Sequence, residues 1–245
     1  MAKYKQGLAF SYVQGTKYHQ DRPLRDDLGS IPGAHYFKNY ADAERLMLPQ
    51  PDLSQPADLW QCLAKRRSER NTTPDPLSLE ELSRLMWAAQ GVTAQAGSYL
   101  FRTAPSAGAL YPFETYLYIN KVADVSQGIY HFNVSDFALE RMQDGNFSRE
   151  FANASLGQPA VTRAAVVIIW TAMMLRCMVK YRERAMRYIP MDLGHVCQNV
   201  QLAATAMGFG SCPIGAFYDD DFNRLLGVDG EEETVLYLIT VGKLR

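Results

Sequence analysis

The chain has no excess of either charge: 25 lysines and arginines stand against 26 aspartates and glutamates over 245 residues, a net charge of −1. Nucleic acid and anionic membranes are therefore not expected partners, because both call for a strongly basic face. Cysteine is sparse as well. Cys62, Cys177, Cys197 and Cys212 fall in no C-x-x-C or Cys/His ligand spacing, so buried free thiols are expected, and a reducing cytoplasm suits them. No apolar run approaches a bilayer span, and MAKYKQGLAFSYVQGTKYH lacks the apolar core of a signal peptide. There is no nucleophile elbow, Walker loop, G-x-G-x-x-G turn or H-x-x-x-H pair, which leaves a hydrolase or a metal enzyme unsupported.

What is present is enough apolar residue, 47% of the chain, to bury a full core. The length suits one domain with an N-terminal extension. Residues 1–55 read as an extended arm, rich in Tyr, His, Asp, Arg and Pro, with one short helix near Ala41 to Met47 and a proline-punctuated end, LPQPDLSQP. Such an arm is expected to wrap the core or a partner. Residues 56–245 read as the domain proper.

The most informative stretch runs from Pro190 to Gly215. Leu193, Val196, Cys197, Val200, Ala203, Ala204 and Met207 recur at helical spacing, so one face is core. Asp192, His195, Gln198, Asn199, Gln201 and Thr205 occupy the other side, which suits contact with protein or ligand rather than bulk water. Pro190 is expected to start this helix and Gly208 to end it. The following GFGSCPIG reads either as a helix cap and a turn into a strand or as a backbone slot for a flat ligand.

Around it, Ser78 and Glu81 form a capping box before Leu79, Leu82, Leu85 and Met86. The apolar run Ala164 to Thr171 reads as a central strand buried on both faces, and DDDFNRLLG as a short helix stopped by Gly227. Strands are expected at Thr115 to Ile119, Gly128 to Phe132, Ala138 to Arg141 and Thr234 to Val241. Four or five strands interleaved with helices imply an α+β sheet sandwich.

Three motifs could carry chemistry. R-R-S-x-R, at Arg66, Arg67, Ser68 and Arg70, is either a set of cations at a helix C-terminus or a forked donor set for a phosphate. P-S-A-G, at Pro105 to Gly108, is a structural loop or a close approach to a ligand. Lys180 and Tyr181, in KYRER, read from pattern alone as part of a solvated helix face with i,i+3 and i,i+4 charge pairs. His131 and His195 each read as structural.

These motifs, with Q-N at 198–199 and the glycine-punctuated G-S-C-P-I-G, resemble the nitroreductase superfamily. P-S-A-G-A-L-Y-P with Glu114 resembles its SagB-type dehydrogenase branch, which includes thiazoline/oxazoline oxidases. The resemblance implies a mostly antiparallel central sheet flanked by helices, a long interface helix, and FMN shared between the subunits of a homodimer. By it, Arg66, Arg67, Ser68 and Arg70 hold the phosphate, ribityl chain and pyrimidine edge. Pro105, Ser106, Ala107 and Gly108 line the ring, Pro213, Ile214 and Gly215 lie near N5, and Gln198 touches the cofactor from the helix. Lys243 and Arg245 are candidates for the phosphate. Lys180 and Tyr181 would remove the proton when an azoline is oxidised, whereas nitro or quinone reduction with NAD(P)H needs no such base. A non-catalytic flavin carrier would share the binding residues and lack the reaction.

Overall fold

The computed structural model describes residues 3–21, 28–54, 56–97 and 99–245. In chain order the elements are α1 (Leu8–Gly15), β1 (Arg45–Met47), α2 (Leu59–Lys65), α3 (Leu79–Gln90), β2 (Val92–Ala96), β3 (Tyr99–Arg102), β4 (Phe113–Ile119), β5 (Gly128–Asn133) and β6 (Ala138–Asp144). There follow α4 (Ser148–Ala154), α5 (Pro159–Arg163), β7 (Val166–Met173), α6 (Met174–Tyr181), α7 (Ala185–Ala206), β8 (Phe209–Ile214), α8 (Asp219–Leu226) and β9 (Glu233–Lys243). Seven strands form one antiparallel sheet in the order β1-β6-β5-β4-β7-β9-β8, and β2 and β3 form a separate hairpin. The sheet is thus larger than the four or five strands expected.

Side chains alternate across the sheet and so divide the core in two. Phe113, Leu117, Ile168, Trp170 and Ile239 face a layer containing α3 and α7, while Tyr116, Tyr118, Val167, Ile169 and Leu238 face one containing α4 and α8. The continuous run in β7 is buried on both sides because it pairs with β4 and β9 between these layers. Ser78 and Glu81 close the capping box of α3, and Gly227 ends α8 in the left-handed region at φ 69°.

Two expectations are corrected. The segment Ala41 to Met47 is not a helix: Arg45–Met47 pairs with β6 as an edge strand, Arg45 opposite Glu140. Nor does Pro190 start the long helix, which begins at Ala185 and covers 22 residues, a span of about 33 Å. Proline cannot bond to the carbonyl one turn earlier, here that of Met186. Met186 and Pro190 are both exposed, so water can satisfy that carbonyl. At the other end the helix stops at Ala206, and Gly208 takes φ 74° just before β8. Most of GFGSCPIG is therefore strand.

Residues 35–40 lie across the sheet face that carries Glu114, Tyr116, His131 and Glu140, whereas Leu48 to Asp52 pass to the α3 side. Lys38 donates from its backbone to Glu114 and from Nζ to Tyr116 and Glu233, at 3.2, 2.9 and 2.6 Å. Tyr40 donates from its backbone to Glu140, and Arg176 donates to the His35 carbonyl. Beneath them His131, fully buried, bridges Glu140 at 2.9 Å and Glu114 at 3.0 Å, and Arg176 holds the other oxygen of Glu114. Burial alone would raise Glu114, but His131 and Arg176 bring it down to about 2. Burial would lower His131, yet its bonds to the two glutamates outweigh this and raise it.

These shifts fix a stability window. Glu114 is depressed, so its share is present above the ordinary carboxyl value of 4.5 and is lost as pH falls toward about 2. His131 is raised, so its share is present below the ordinary 6.5 and is lost as pH rises through the folded value. His131→Gln is expected to lower stability by about 3 kcal/mol at pH 6. The variant should keep only part of the acid decline in Tm, that which Arg176 sustains through Glu114, and lose the decline above pH 6.5; an unchanged alkaline limb would show that His131 is not the titrating group.

Candidate functional site

Helix α2 is started by Asp58, whose carboxylate accepts from Trp60 and Gln61 backbone N–H groups at 2.8 and 3.2 Å. It ends at Arg66, and the chain then runs extended beside β8. Ser68 bridges Ser211, Glu69 N–H donates to the Ser211 carbonyl at 2.9 Å, and Thr73 N–H donates to Lys243 at 2.8 Å. The close passage needs Gly210 and Gly242: a Cβ on Gly242 would lie 2.8 Å from Thr72 Cβ. Arg66, Arg67 and Arg70 pair with no carboxylate among the described residues. Arg67 donates to the Ala64 and Arg66 carbonyls and Arg70 to that of Ser68, so the guanidiniums stay close to their own segment.

Pro213 and Ile214 lie on the same edge, in β8, and Gly215 follows against the Tyr237 ring. Tyr237 lies near Cys197, next to Gln198 on α7, and Gln198 is half-buried. Lys243 sits at the end of β9 with its Nζ 3.5 Å from Glu81, and Arg245 is exposed. The structure therefore brings together R-R-S-x-R, the P-I-G turn and Lys243 along one sheet edge.

A second group gathers at the N-terminal half of α7. Ser106 Oγ and Ala107 N–H both donate to Asp192 Oδ2 at 2.8 Å, and Ser106 Oγ accepts from Tyr111 N–H at 2.9 Å. Burial raises Asp192, and these two bonds oppose it. Gly108 takes φ 65°, and a Cβ there would lie 2.7 Å from both Lys180 Nζ and the Tyr181 hydroxyl. Lys180 and Tyr181 thus meet the P-S-A-G loop directly. They close α6 where the chain turns sharply at Arg182, φ 51°, and Tyr181 packs edge-on to Tyr188 of α7 at 4.8 Å. Asp192 is the residue that sequence reasoning missed as the anchor of this loop. Its signal was weak: a carboxylate on a helix side otherwise carrying amides, 86 residues from its partner.

The other candidates do less. His195 is exposed, and His131 belongs to the network under the arm. All four cysteines are free and buried, and burial pushes Cys177 and Cys197 up to about 12, which suits packing rather than nucleophilic work. Among the described residues no helix is long and apolar enough to cross a membrane.

A profile of the nitroreductase family matches residues 63–243, a stretch that holds nearly all of both groups. The chain belongs to the nitroreductase family. A protein of Methanocaldococcus jannaschii assigned as a nitroreductase is 39% identical over 193 residues, 79% of this chain and 94% of that one. The trifolitoxin-processing protein TfxB of Rhizobium leguminosarum bv. trifolii is 30% identical over 57% of this chain and 40% of its own. Among solved structures, a nitroreductase-type protein from Anabaena variabilis superposes with TM-score 0.77 at 26% identity, covering 96% of this chain and 47% of that chain. The Escherichia coli microcin synthetase McbBCD complex has TM-score 0.63 at 20% identity, over 98% and 82%. P-S-A-G-A-L-Y-P and Glu114, which resemble the SagB-type branch, lie within the matched stretch. The expected mostly antiparallel sheet with flanking helices and one long helix is the observed fold.

Proposed function

We propose that the protein is an FMN-dependent oxidoreductase that oxidises azoline-type substrates and works as a homodimer. The observation that carries this reading is the meeting of Lys180 Nζ and the Tyr181 hydroxyl with Gly108 in a loop that Asp192 holds in place.

The residues fit the cofactor. Arg66, Arg67 and Arg70 form a cationic segment without a carboxylate partner among the described residues, as a phosphate site requires. Ser68 is fixed beside β8, so its neighbours are presented from a rigid edge. Bound there, FMN supplies a two-electron acceptor and donor at N5, used in alternate half-reactions. Gln198 from the helix, Pro213 to Gly215, and Pro105 to Gly108 would border the ring. Lys243 and Arg245 would add charge near the phosphate, Lys243 while still near Glu81.

Oxidising an azoline removes a hydride and a proton from carbon. Lys180 or Tyr181 accepts that proton, standing against the loop that would line the ring. The two groups of residues lie at different places along α7 and share no hydrogen bond or ion pair among those described. A two-fold pair of chains would complete each site from both members. Exposed Leu59, Trp60 and Leu63 on α2, with Met186 and Met191 on α7, offer apolar surface for such a pair. Lys38 and Tyr40 of the arm brace the domain, residues 56–245, through their bonds to Glu114, Tyr116, Glu140 and Glu233.

The likeness to a protein assigned as a nitroreductase favours a second reading, NAD(P)H-dependent reduction of nitro compounds or quinones. One screen separates the two: purified protein offered azoline peptides, nitroaromatics and quinones, the last two with NADH or NADPH. Azole formation from azoline, with the flavin reoxidised by an acceptor, is the expected result. Turnover confined to nitroaromatics and quinones would establish the second reading, and redox silence toward every donor would leave a flavin carrier.

A further inference from the structure

Arg102, the last residue of β3, is only 7% exposed, yet no carboxylate among the described residues pairs with it. Its Nη1 donates to the Gln90 side-chain oxygen at 3.0 Å, while Nε has no hydrogen-bond partner and neither has the neighbouring Gln90 Nε2. The guanidinium lies over the rings of Tyr111 and Phe37, 4.6 and 5.6 Å from their centroids. Cation–π contact moderates the loss of water without supplying an anion. Burial brings Arg102 down to about 10, which still leaves it charged at neutral pH.

The surrounding acids are already committed. Glu114 is held by Arg176 and His131, Glu140 by His131 and Arg45, and Glu233 by Lys38. Arg102 is the surplus cation of this region. A buried ion with no carboxylate of its own, near only a Glu114 that Arg176 and His131 already hold, is a cost that a structural role does not explain, since an apolar side chain of the same length would fill the space without it.

Arg102 also lines a cavity of about 430 Å³. Phe37 of the arm, Tyr99 and Leu100 of the hairpin, and Tyr111 form its walls. Tyr111 takes φ 43°, accepts the Arg102 backbone N–H at its hydroxyl, and donates its own N–H to Ser106. The cavity is therefore joined through one residue to the loop that meets Lys180 and Tyr181.

We propose that this cavity is a binding site for the carboxylate of a planar aromatic or heteroaromatic acid, with Arg102 gripping the carboxylate and the aromatic walls covering the ring. Volume, aromatic lining and an unpaired fork-shaped donor all match that class of ligand. That such an acid is a substrate rests on the reading of Pro105 to Gly108 as the cofactor loop; the binding site does not.

The test is calorimetric titration of the purified protein with 2-naphthoate and with its neutral counterpart 2-naphthamide, in parallel on flavin-loaded and flavin-stripped protein. Wild type should bind the acid at least about tenfold more tightly than the amide, the difference one charge-assisted pair supplies. Arg102→Met should abolish that preference; losing the buried charge and losing the bond to Gln90 act on its melting point in opposite directions. Tyr99→Ala, at the exposed rim, should weaken both ligands and keep the preference. Equal binding of acid and amide by wild type overturns the proposal, as does a preference that survives Arg102→Met. Should Arg102→Met fail to fold, the wild-type comparison decides alone. A preference for the acid in protein that never takes up flavin upholds the site and removes only its substrate assignment.

Discussion

Lys180→Ala and Tyr181→Phe are expected to lower azoline dehydrogenation by at least about 100-fold, the contribution of a positioned acid–base group, while flavin binding and reoxidation by a quinone stay near wild type. The split follows from geometry. Lys180 is exposed, Tyr181 is half-buried, and both reach the backbone of Gly108 at distances that leave no room for a β-carbon there. Neither belongs to the segment with R-R-S-x-R, so neither is needed to hold a phosphate. Hydride transfer to or from a quinone demands no base on carbon, and that half-reaction is the internal control. The assay is single-turnover kinetics of each half-reaction on the two variants. An equal fall in both activities, or loss of the flavin, would make the pair structural.

Changing Arg66, Arg67 and Arg70 together to alanine is expected to weaken FMN binding by at least about 100-fold, since each charge-assisted bond to an anion is worth roughly 1.5–3 kcal/mol. Folding should be little affected. Arg67 and Arg70 are exposed and bond only to carbonyls of their own segment, and Arg66 is the residue at which α2 ends. Quenching of flavin fluorescence on titration gives the affinity, and the melting curve without flavin gives the control. Unchanged affinity would move the phosphate elsewhere; a melting point that falls with the affinity would show the arginines to be structural.

Both experiments concern residues visible in the sequence, and the reason they are visible is local. R-R-S-x-R, P-S-A-G and G-S-C-P-I-G work through backbone turns and neighbouring side chains, so their chemistry is written in short stretches. The capping box at Ser78 and Glu81 and the apolar run of β7 are legible for the same cause. The start of α7 was not legible, because interior proline is usually a stop and only the exposure of Met186 and Pro190 makes it tolerable. The hairpin of β2 and β3 carries no buried stripe on β2, which is exposed throughout, so no period marked it. The strand β1 and the arm's docking were hidden by their own polarity. Lys38 and Tyr40 fall in an aperiodic arm and Arg45 in an expected helix, and all three are satisfied by Glu114, Glu140 and Glu233, residues about 70 to 200 positions away.

Asp192 shows the same limit at the site itself. Its two bonds to the P-S-A-G loop and the approach of Lys180 to Gly108 are long-range pairings that only the packing of α6 and α7 against the loop creates. Sequence identified which residues could do chemistry, and tertiary structure joined them into two groups along one helix.

The most direct test of the account is the absorption spectrum of the protein as purified, followed by mass analysis of whatever small molecule heat releases from it. The account predicts a yellow protein with flavin bands and a released species with the mass of FMN. A colourless protein that added FMN cannot reconstitute would contradict it.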